Sequence, residues 1–143
     1  MEEKQEEFQR LSSEIEVLRN QANVHNQNLE LLNASLDEMK QTLESLEELK
    51  SAEPGTETLI PLGSGSFIRS SLKQNDRVII GVGSDISIEK DVDEAKAIVD
   101  KRVQRMEEAT QRTQEQLEEI SGRLEDLTPK WQELYSELSG EEG

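Results

Sequence analysis

The sequence contains no cysteine, and this absence excludes disulfides and thiolate chemistry. It is compatible with a reducing compartment. The first ten residues include no apolar run, so they do not resemble a signal peptide. No stretch of the sequence approaches the ~20 apolar residues that a membrane-spanning helix requires. We therefore expect a cytoplasmic protein without a membrane partner.

Apolar and aromatic residues are scarce. Hydrophobic residues make up 32% of the 143-residue chain, and its aromatic residues are Phe8, Phe67, Trp131 and Tyr135. This is too little apolar material for a compact globule with a thick core. It suits a narrow apolar seam between two helices whose remaining surface is solvated.

Basic residues are also scarce, because the chain has 16 Lys and Arg but 32 Asp and Glu, which gives a net charge of −16. Nucleic acids and anionic membrane surfaces bind clustered positive charge, so neither is expected as a partner. The single histidine has no companion that would complete a metal site or a catalytic set. We expect no enzyme activity, no metal and no cofactor.

The N-terminal third of the chain has the spacing of a long coiled-coil helix. Its apolar residues recur every three or four positions, and the predicted seam consists of Phe8, Leu11, Ile15, Leu18, Ala22, His25, Leu29, Leu32, Leu36, Met39, Leu43 and Leu46. His25 is the polar member, and we interpret it as a residue that fixes register, with pH sensing as the alternative role. Val17, Val24 and Leu31 form a second stripe with seven-residue spacing, which either faces another partner or widens the seam.

The C-terminal third repeats this pattern. Asp91 is predicted to cap the helix, with Glu94 at its third position. The predicted seam consists of Val99, Val103, Met106, Thr110, Thr113, Leu117, Ile120, Leu124, Leu127, Trp131, Leu134 and Leu138. Pro129 predicts a kink or a restart of the helix, with Thr128 as the new cap.

The central stretch, residues 57–90, has the composition of strands and turns. We predict strands at about 57–62, 66–73, 77–83 and 85–90, and we interpret the glycines between and within them as turn and bulge residues. Two short hairpins are marginal alone in water. Because the helices use their seam on each other, we expect the hairpins of several subunits to close into a shared sheet or barrel. The candidate oligomerisation residues are Leu59, Ile60, Leu62, Phe67, Ile68, Leu72, Val78, Ile80, Val82, Ile86 and Ile88.

The predicted fold is mainly α with a small β module: a long antiparallel two-helix coiled coil with two β-hairpins at the bend, its β-barrel completed by oligomerisation. Its parts are an N-terminal helix (1–53), a β-hairpin module (54–90) and a C-terminal helix with a short tail (91–143). Antiparallel arms place Leu46 near Val99. They also gather an apolar tip, which either opens at Pro129 or completes the seam, and which consists of Phe8, Leu11, Trp131, Leu134, Tyr135 and Leu138.

The order helix, two hairpins, helix, together with residues 57–68 (ETLIPLGSGSFI) and 86–95 (ISIEKDVDEA), resembles the archaeal α-class subunits of prefoldin. The resemblance implies a hexamer of two α and four β subunits that acts as an ATP-independent chaperone. It implies that the tips hold non-native polypeptides and pass them to a group II chaperonin. The alternative is a coiled-coil tether or adaptor that assembles in the same way but binds no client.

Overall fold

The computed structural model describes the backbone of residues 2–142 and the side chains of residues 2–140. Its elements in chain order are α1 (Glu2–Ser51), β1 (Glu57–Gly63), β2 (Ser66–Ser71), β3 (Arg77–Gly83), β4 (Ile86–Asp91) and α2 (Val92–Glu142). The predicted order of two long helices around two hairpins is therefore confirmed. Neither helix is long and apolar enough to cross a membrane over the residues described.

The chain divides into two compact units. The first, here called the terminal unit, combines residues 1–34 with residues 107–143, and the second, the hairpin unit, is Ser35–Met106. In both units every predicted seam residue is buried or half-buried, which confirms the seam. The reason is the three-and-four spacing, which keeps one stripe of each helix facing its partner over many turns.

In the terminal unit, the two helices pack antiparallel around a core of Leu11, Ile15, Leu127 and Leu134. Salt bridges flank this core, with Arg123 Nη2 2.8 Å from Glu14 Oε1 and Lys4 Nζ 3.3 Å from Glu137 Oε2. These surface ion pairs contribute little individually, so apolar burial supplies most of the stabilisation.

Pro129 lies inside α2, so of the two predicted outcomes, a kink or a restart, the restart with Thr128 as a new cap is wrong. A proline inside a helix removes one backbone hydrogen bond and costs about 3 kcal/mol. Leu127 and Leu134 are buried on either side of it in the same core and hold the helix in place across the missing bond.

In the hairpin unit, α1 and α2 meet around Leu46, Val92, Ala95 and Val99, as the antiparallel prediction requires. Asp91 Oδ1 accepts a hydrogen bond from the backbone N–H of Glu94 at 2.8 Å, which confirms the N-cap.

Two ion pairs join the helices beside this cluster, Lys50 with Asp93 at 2.9 Å and Lys96 with Glu47. The hydrogen bond and charge of Lys50 lower the pKa of Asp93, and Asp93 in turn raises the pKa of Lys50. Lys96 lowers the pKa of Glu47 in the same way. These shifts favour the charged forms of Asp93, Lys50 and Glu47.

The strands form two separate antiparallel hairpins, β1 with β2 and β3 with β4. Each ladder shifts register just before its turn, at Pro61/Gly63 and at Gly81/Gly83. Gly63 and Gly83 adopt φ values of 103° and 107°, which only glycine adopts readily. The prediction that these glycines serve turns and bulges is confirmed. β2 ends two residues earlier than predicted, and β4 runs from 86 to 91 rather than from 85 to 90.

Candidate functional site: the exposed hairpin faces and the terminal cluster

Most of the apolar hairpin residues singled out from the sequence are exposed. Their exposed fractions run from 43% to 66%, and they are Leu59, Ile60, Leu62, Phe67, Ile68, Val82 and Ile86. Both faces of the first hairpin carry such side chains, because Leu59 and Ile60 are adjacent and a strand points successive side chains to opposite faces. Exposed apolar faces of this kind indicate an interaction surface.

The remaining four candidates are half-buried within the hairpin unit. Val78 and Ile80 of β3 pack against the helix cluster around Val99. This corrects the expectation that the helices have no face to offer the strands. Ala95, which is fully buried, belongs to the same cluster.

Hydrogen bonds also attach the second hairpin to the helices. The Arg102 guanidinium donates to the carbonyl oxygen of Gly81, and the Asn75 amide donates to the carbonyl oxygen of Ala52 at 2.6 Å. The second hairpin is thus supported from one side by its own chain.

Ile88 lies opposite Ile80 in the β3–β4 ladder. Leu72 lies just beyond β2, where its backbone N–H donates to the carbonyl of Thr56 at 2.8 Å. It therefore connects the hairpin to the segment that follows α1.

Sequence reasoning missed Ile79, which at 77% is the most exposed of the large apolar side chains in the described chain. It alternates with Val78 and Ile80 and so takes the opposite face of β3. The signal was present in residues 77–82, RVIIGV, since three consecutive apolar residues in a strand make both faces apolar.

The second candidate site, here called the terminal cluster, lies in the terminal unit and consists of Phe8, Leu11, Trp131, Leu134, Tyr135 and Leu138. Leu11 and Leu134 are buried, Phe8, Trp131 and Leu138 are half-buried, and Tyr135 is 54% exposed. The cluster is closed, with five of its six side chains buried or half-buried.

Three aromatic rings stack across the helix pair in this cluster. The ring centroid of Trp131 lies 5.3 Å from that of Phe8 and 5.4 Å from that of Tyr135. Trp131 Nε1–H donates to Ser12 Oγ at 2.7 Å, which satisfies the indole nitrogen. This contact fixes the orientation of the indole across the two helices.

Two hollows flank the stack. One, of about 400 Å³, is lined by Phe8, Tyr135 and Leu138 together with Gln5, Gln9 and Ser139. The other, of about 540 Å³, lies beside Trp131 and includes Ser12, Ile15 and Thr128. The stack therefore presents ring surface on both sides, next to polar groups that can hydrogen-bond a peptide backbone.

The described residues offer no group of three or more His, Asp or Glu side chains that could hold a metal ion. The hairpin faces are mainly apolar, and the terminal cluster combines aromatic rings with amides and hydroxyls at its rim. Surfaces of this composition are typical of contacts between polypeptide chains.

Comparison with known protein families gives a match to the model described as "Prefoldin subunit" over residues 18–137. The chain is 35% identical to prefoldin subunit alpha of Pyrococcus horikoshii over 136 residues, which cover 93% of this chain and 90% of that protein. It is 32% identical to prefoldin subunit alpha of Methanobrevibacter smithii over 82% of this chain and 80% of that protein.

Among solved structures, the fold is similar to that of a chain in filamentous PFD from Methanocaldococcus jannaschii, determined by cryo-electron microscopy. The TM-score is 0.74, the sequence identity is 22%, and the match covers 83% of this chain and 98% of that chain. The likeness supports the architecture described above.

Proposed function

Because the chain belongs to the prefoldin family and so has the role of a chaperone subunit, we propose that it is the α-type subunit of an ATP-independent holdase. In this proposal it binds non-native polypeptides and transfers them to a group II chaperonin. Residues 54–90 form the assembly module, and residues 1–53 and 91–143 form the arm that reaches the client.

Assembly is the role proposed for the exposed hairpin faces. Leu59, Leu62 and Phe67 are more than half exposed, and in water each such side chain forgoes the ~1.5–3 kcal/mol that full burial provides. We propose that β-type prefoldin subunits cover these faces and complete a β-barrel, with two α and four β subunits in the complex. In this proposal the second hairpin, β3 with β4, is held in place by its packing on the helices of its own chain. It therefore fixes where this chain's strands enter the barrel.

Client binding is the role proposed for the terminal cluster. The single observation that supports it most is the aromatic stack flanked by two hollows, because flat rings beside polar rims accept many different apolar side chains. One such site is weak. Several held in one assembly gain avidity for a single unfolded chain through effective concentration, and each contact remains weak enough to release.

Because the terminal cluster is closed, a client can reach only some of its side chains while the two helices stay together. Leu11 and Leu134 are buried, so a client that contacts them must separate the two helices locally. Phe8, Trp131 and Tyr135 are available without separation. We propose that clients first meet the rings and that the deeper leucines contribute only as the helices part.

The test uses the complex assembled from this chain and its β-type partners. A denatured, aggregation-prone protein is diluted into it without nucleotide, and light scattering is followed. Replacing Phe8 and Tyr135 together with Ser should weaken the suppression of aggregation. The matched control is Leu31→Ser, which removes a more exposed apolar side chain from another face of the same helix pair.

Equal suppression by the two variants would refute client binding at the terminal cluster. Absence of suppression by the unaltered complex would favour the alternative function, a structural tether or adaptor.

A further inference from the structure

The second apolar stripe of α1 faces solvent. Val17, Val24 and Leu31 are 53%, 54% and 69% exposed, so they do not widen the seam. They lie seven residues apart and cover ~21 Å of one helix face. Seven-residue spacing is the pattern of a helix face that packs against another helix.

The stripe lies in a window with almost no charge. Charged residues make up 34% of the whole chain, yet residues 20–36 contain a single one, Glu30. Two copies of a chain with a net charge of −16 repel each other over most of their surface. This window is a place where two such helices can approach without facing like charges.

The residues between the stripe positions are exposed amides, arranged symmetrically about Val24. Read along this face at the positions i+3, i+4 and i+7, the side chains are Val17, Asn20, Gln21, Val24, Gln27, Asn28 and Leu31. The series of side chains is the same when read from either end, except that one end is Val17 and the other is Leu31. Such a palindrome is self-complementary when two identical helices pack antiparallel about a two-fold axis.

We propose that this face is a docking surface for a second copy of the same chain, packed antiparallel and centred on Val24. In this register Val17 meets Leu31 of the second copy, so a smaller side chain packs against a larger one. Asn20 meets Asn28 and Gln21 meets Gln27, and each amide both donates and accepts a hydrogen bond.

The surface already has the form of a coiled-coil acceptor site. Val17, Asn20, Gln21 and Val24 surround a hollow of about 310 Å³, with His25 at its edge. Four residues at i, i+3, i+4 and i+7 are the set that forms a hole for a knob from a facing helix. Leu31 of the second copy is opposite Val17, beside this hole.

The antiparallel direction follows from the residues that flank the palindrome. Continuing the same register places Glu14 opposite Ala34, which is uncharged. A parallel pairing would place Glu14 opposite Glu14 and would also stack Leu31 on Leu31. The antiparallel arrangement avoids this like-charge contact.

The strength of the contact follows from its size. Three apolar side chains on each copy bury far less than the ~800 Å² per partner of a standard interface. The contact is therefore weak between free chains, and the fraction of paired chains rises steeply with their local concentration. It uses the exposed face of α1 that carries Val17, Val24 and Leu31.

The absence of cysteine permits a direct test by site-specific disulfide formation in the full-length chain. Val17→Cys and Leu31→Cys chains are mixed at high concentration under mild oxidation. A mixed 17–31 dimer is expected, and neither variant alone should give a dimer, because equivalent residues lie ~21 Å apart in the antiparallel register, beyond the ~7 Å reach of a disulfide.

The matched control is the pair Arg19→Cys and Asn33→Cys, which has the same 14-residue separation on another exposed face of the helix. This pair should give no mixed dimer. Adding Val24→Lys to the test pair should abolish the 17–31 product, whereas Asn26→Lys should leave it intact.

Dimers that form equally from Val17→Cys alone, or equally in the control pair, would overturn the proposal. Protection of a thiol at position 24 by a β-type subunit or by a denatured client, without any 17–31 product, would also overturn it and would identify that molecule as the occupant.

Discussion

Because Leu127 is buried and Leu31 is exposed, the same Leu→Ala substitution should lower the stability of the protein at one position and leave it almost unchanged at the other. Leu127 is 4% exposed and belongs to the core of the terminal unit together with Leu11, Ile15 and Leu134. Leu31 is 69% exposed on α1. Replacing each with Ala removes the same atoms from leucine in a helix, so helix propensity changes equally and only packing differs.

The loss for Leu127→Ala follows from its surroundings. Buried Leu→Ala substitutions cost 2–5 kcal/mol, and the lower end applies where neighbours can collapse into the cavity. A seam between two helices is one layer thick and open at its sides, so we expect about 2–3 kcal/mol. For a domain of this size that corresponds to a drop in Tm of roughly 4–12 °C.

For Leu31→Ala the expected change in the free energy of unfolding lies within ~0.5 kcal/mol, as for other exposed positions. The measurement is urea and thermal unfolding of both variants by circular dichroism, at a concentration where the proposed contact between copies is not populated. Equal destabilisation by the two variants would refute the placement of these leucines.

Three further predictions concern the hairpin unit. Asp91→Ala removes the N-cap of α2 and should lower the free energy of unfolding by ~1 kcal/mol in urea titrations, and no change would contradict the cap. In NMR titrations, Lys50→Gln should raise the pKa of Asp93 in the folded protein, because Lys50 lowers it. Since the folded pKa of Asp93 is lowered and that of Lys50 is raised, the stabilisation by this pair should be lost as pH falls through the pKa of Asp93 and again as pH rises through that of Lys50. Finally, Gly83→Ala at φ 107° should cost about 1–3 kcal/mol, whereas Gly81→Ala, which meets no atom within 4 Å, should be tolerated in the same unfolding assay.

The helices were the most predictable part of the structure. The three-and-four spacing of residues such as Ile15 and Leu127 fixes which side of each helix is buried, because the period of the pattern matches that of the helix. The cap at Asp91 was equally predictable, since a short acidic side chain before a helical run accepts a backbone hydrogen bond in one local geometry. These features depend on residues close in sequence.

Features that depend on distant packing were predicted less well. The restart at Pro129 was wrong because the burial of Leu127 and Leu134, which no local rule includes, outweighs the missing hydrogen bond. The support of Val78 by the helices was missed because it depends on a tertiary contact with the cluster around Leu46, Val92 and Val99, which the spacing of apolar residues does not encode. The sequence therefore identifies which residues are apolar but not which of them the chain covers by itself.

The same division applies to the candidate sites. The aromatic residues of the terminal cluster were identified from the antiparallel arrangement alone. Their stacking and the hydrogen bond from Trp131 to Ser12 were not predictable, because Ser12 carries no distinguishing pattern in the sequence. Ile79 was overlooked because the strand was assigned one apolar face when it has two.

Hydrogen exchange at the hairpin amides, measured in the isolated chain and in the complex with β-type subunits, tests directly whether other chains complete the hairpins. Amides of β1 and β2 should exchange rapidly in the isolated chain and slow strongly in the complex, because neighbouring strands then cover them. Seam amides near Ile15 should change little. Equal protection of β1 and β2 with and without the partner would contradict the claim that other chains complete the hairpins.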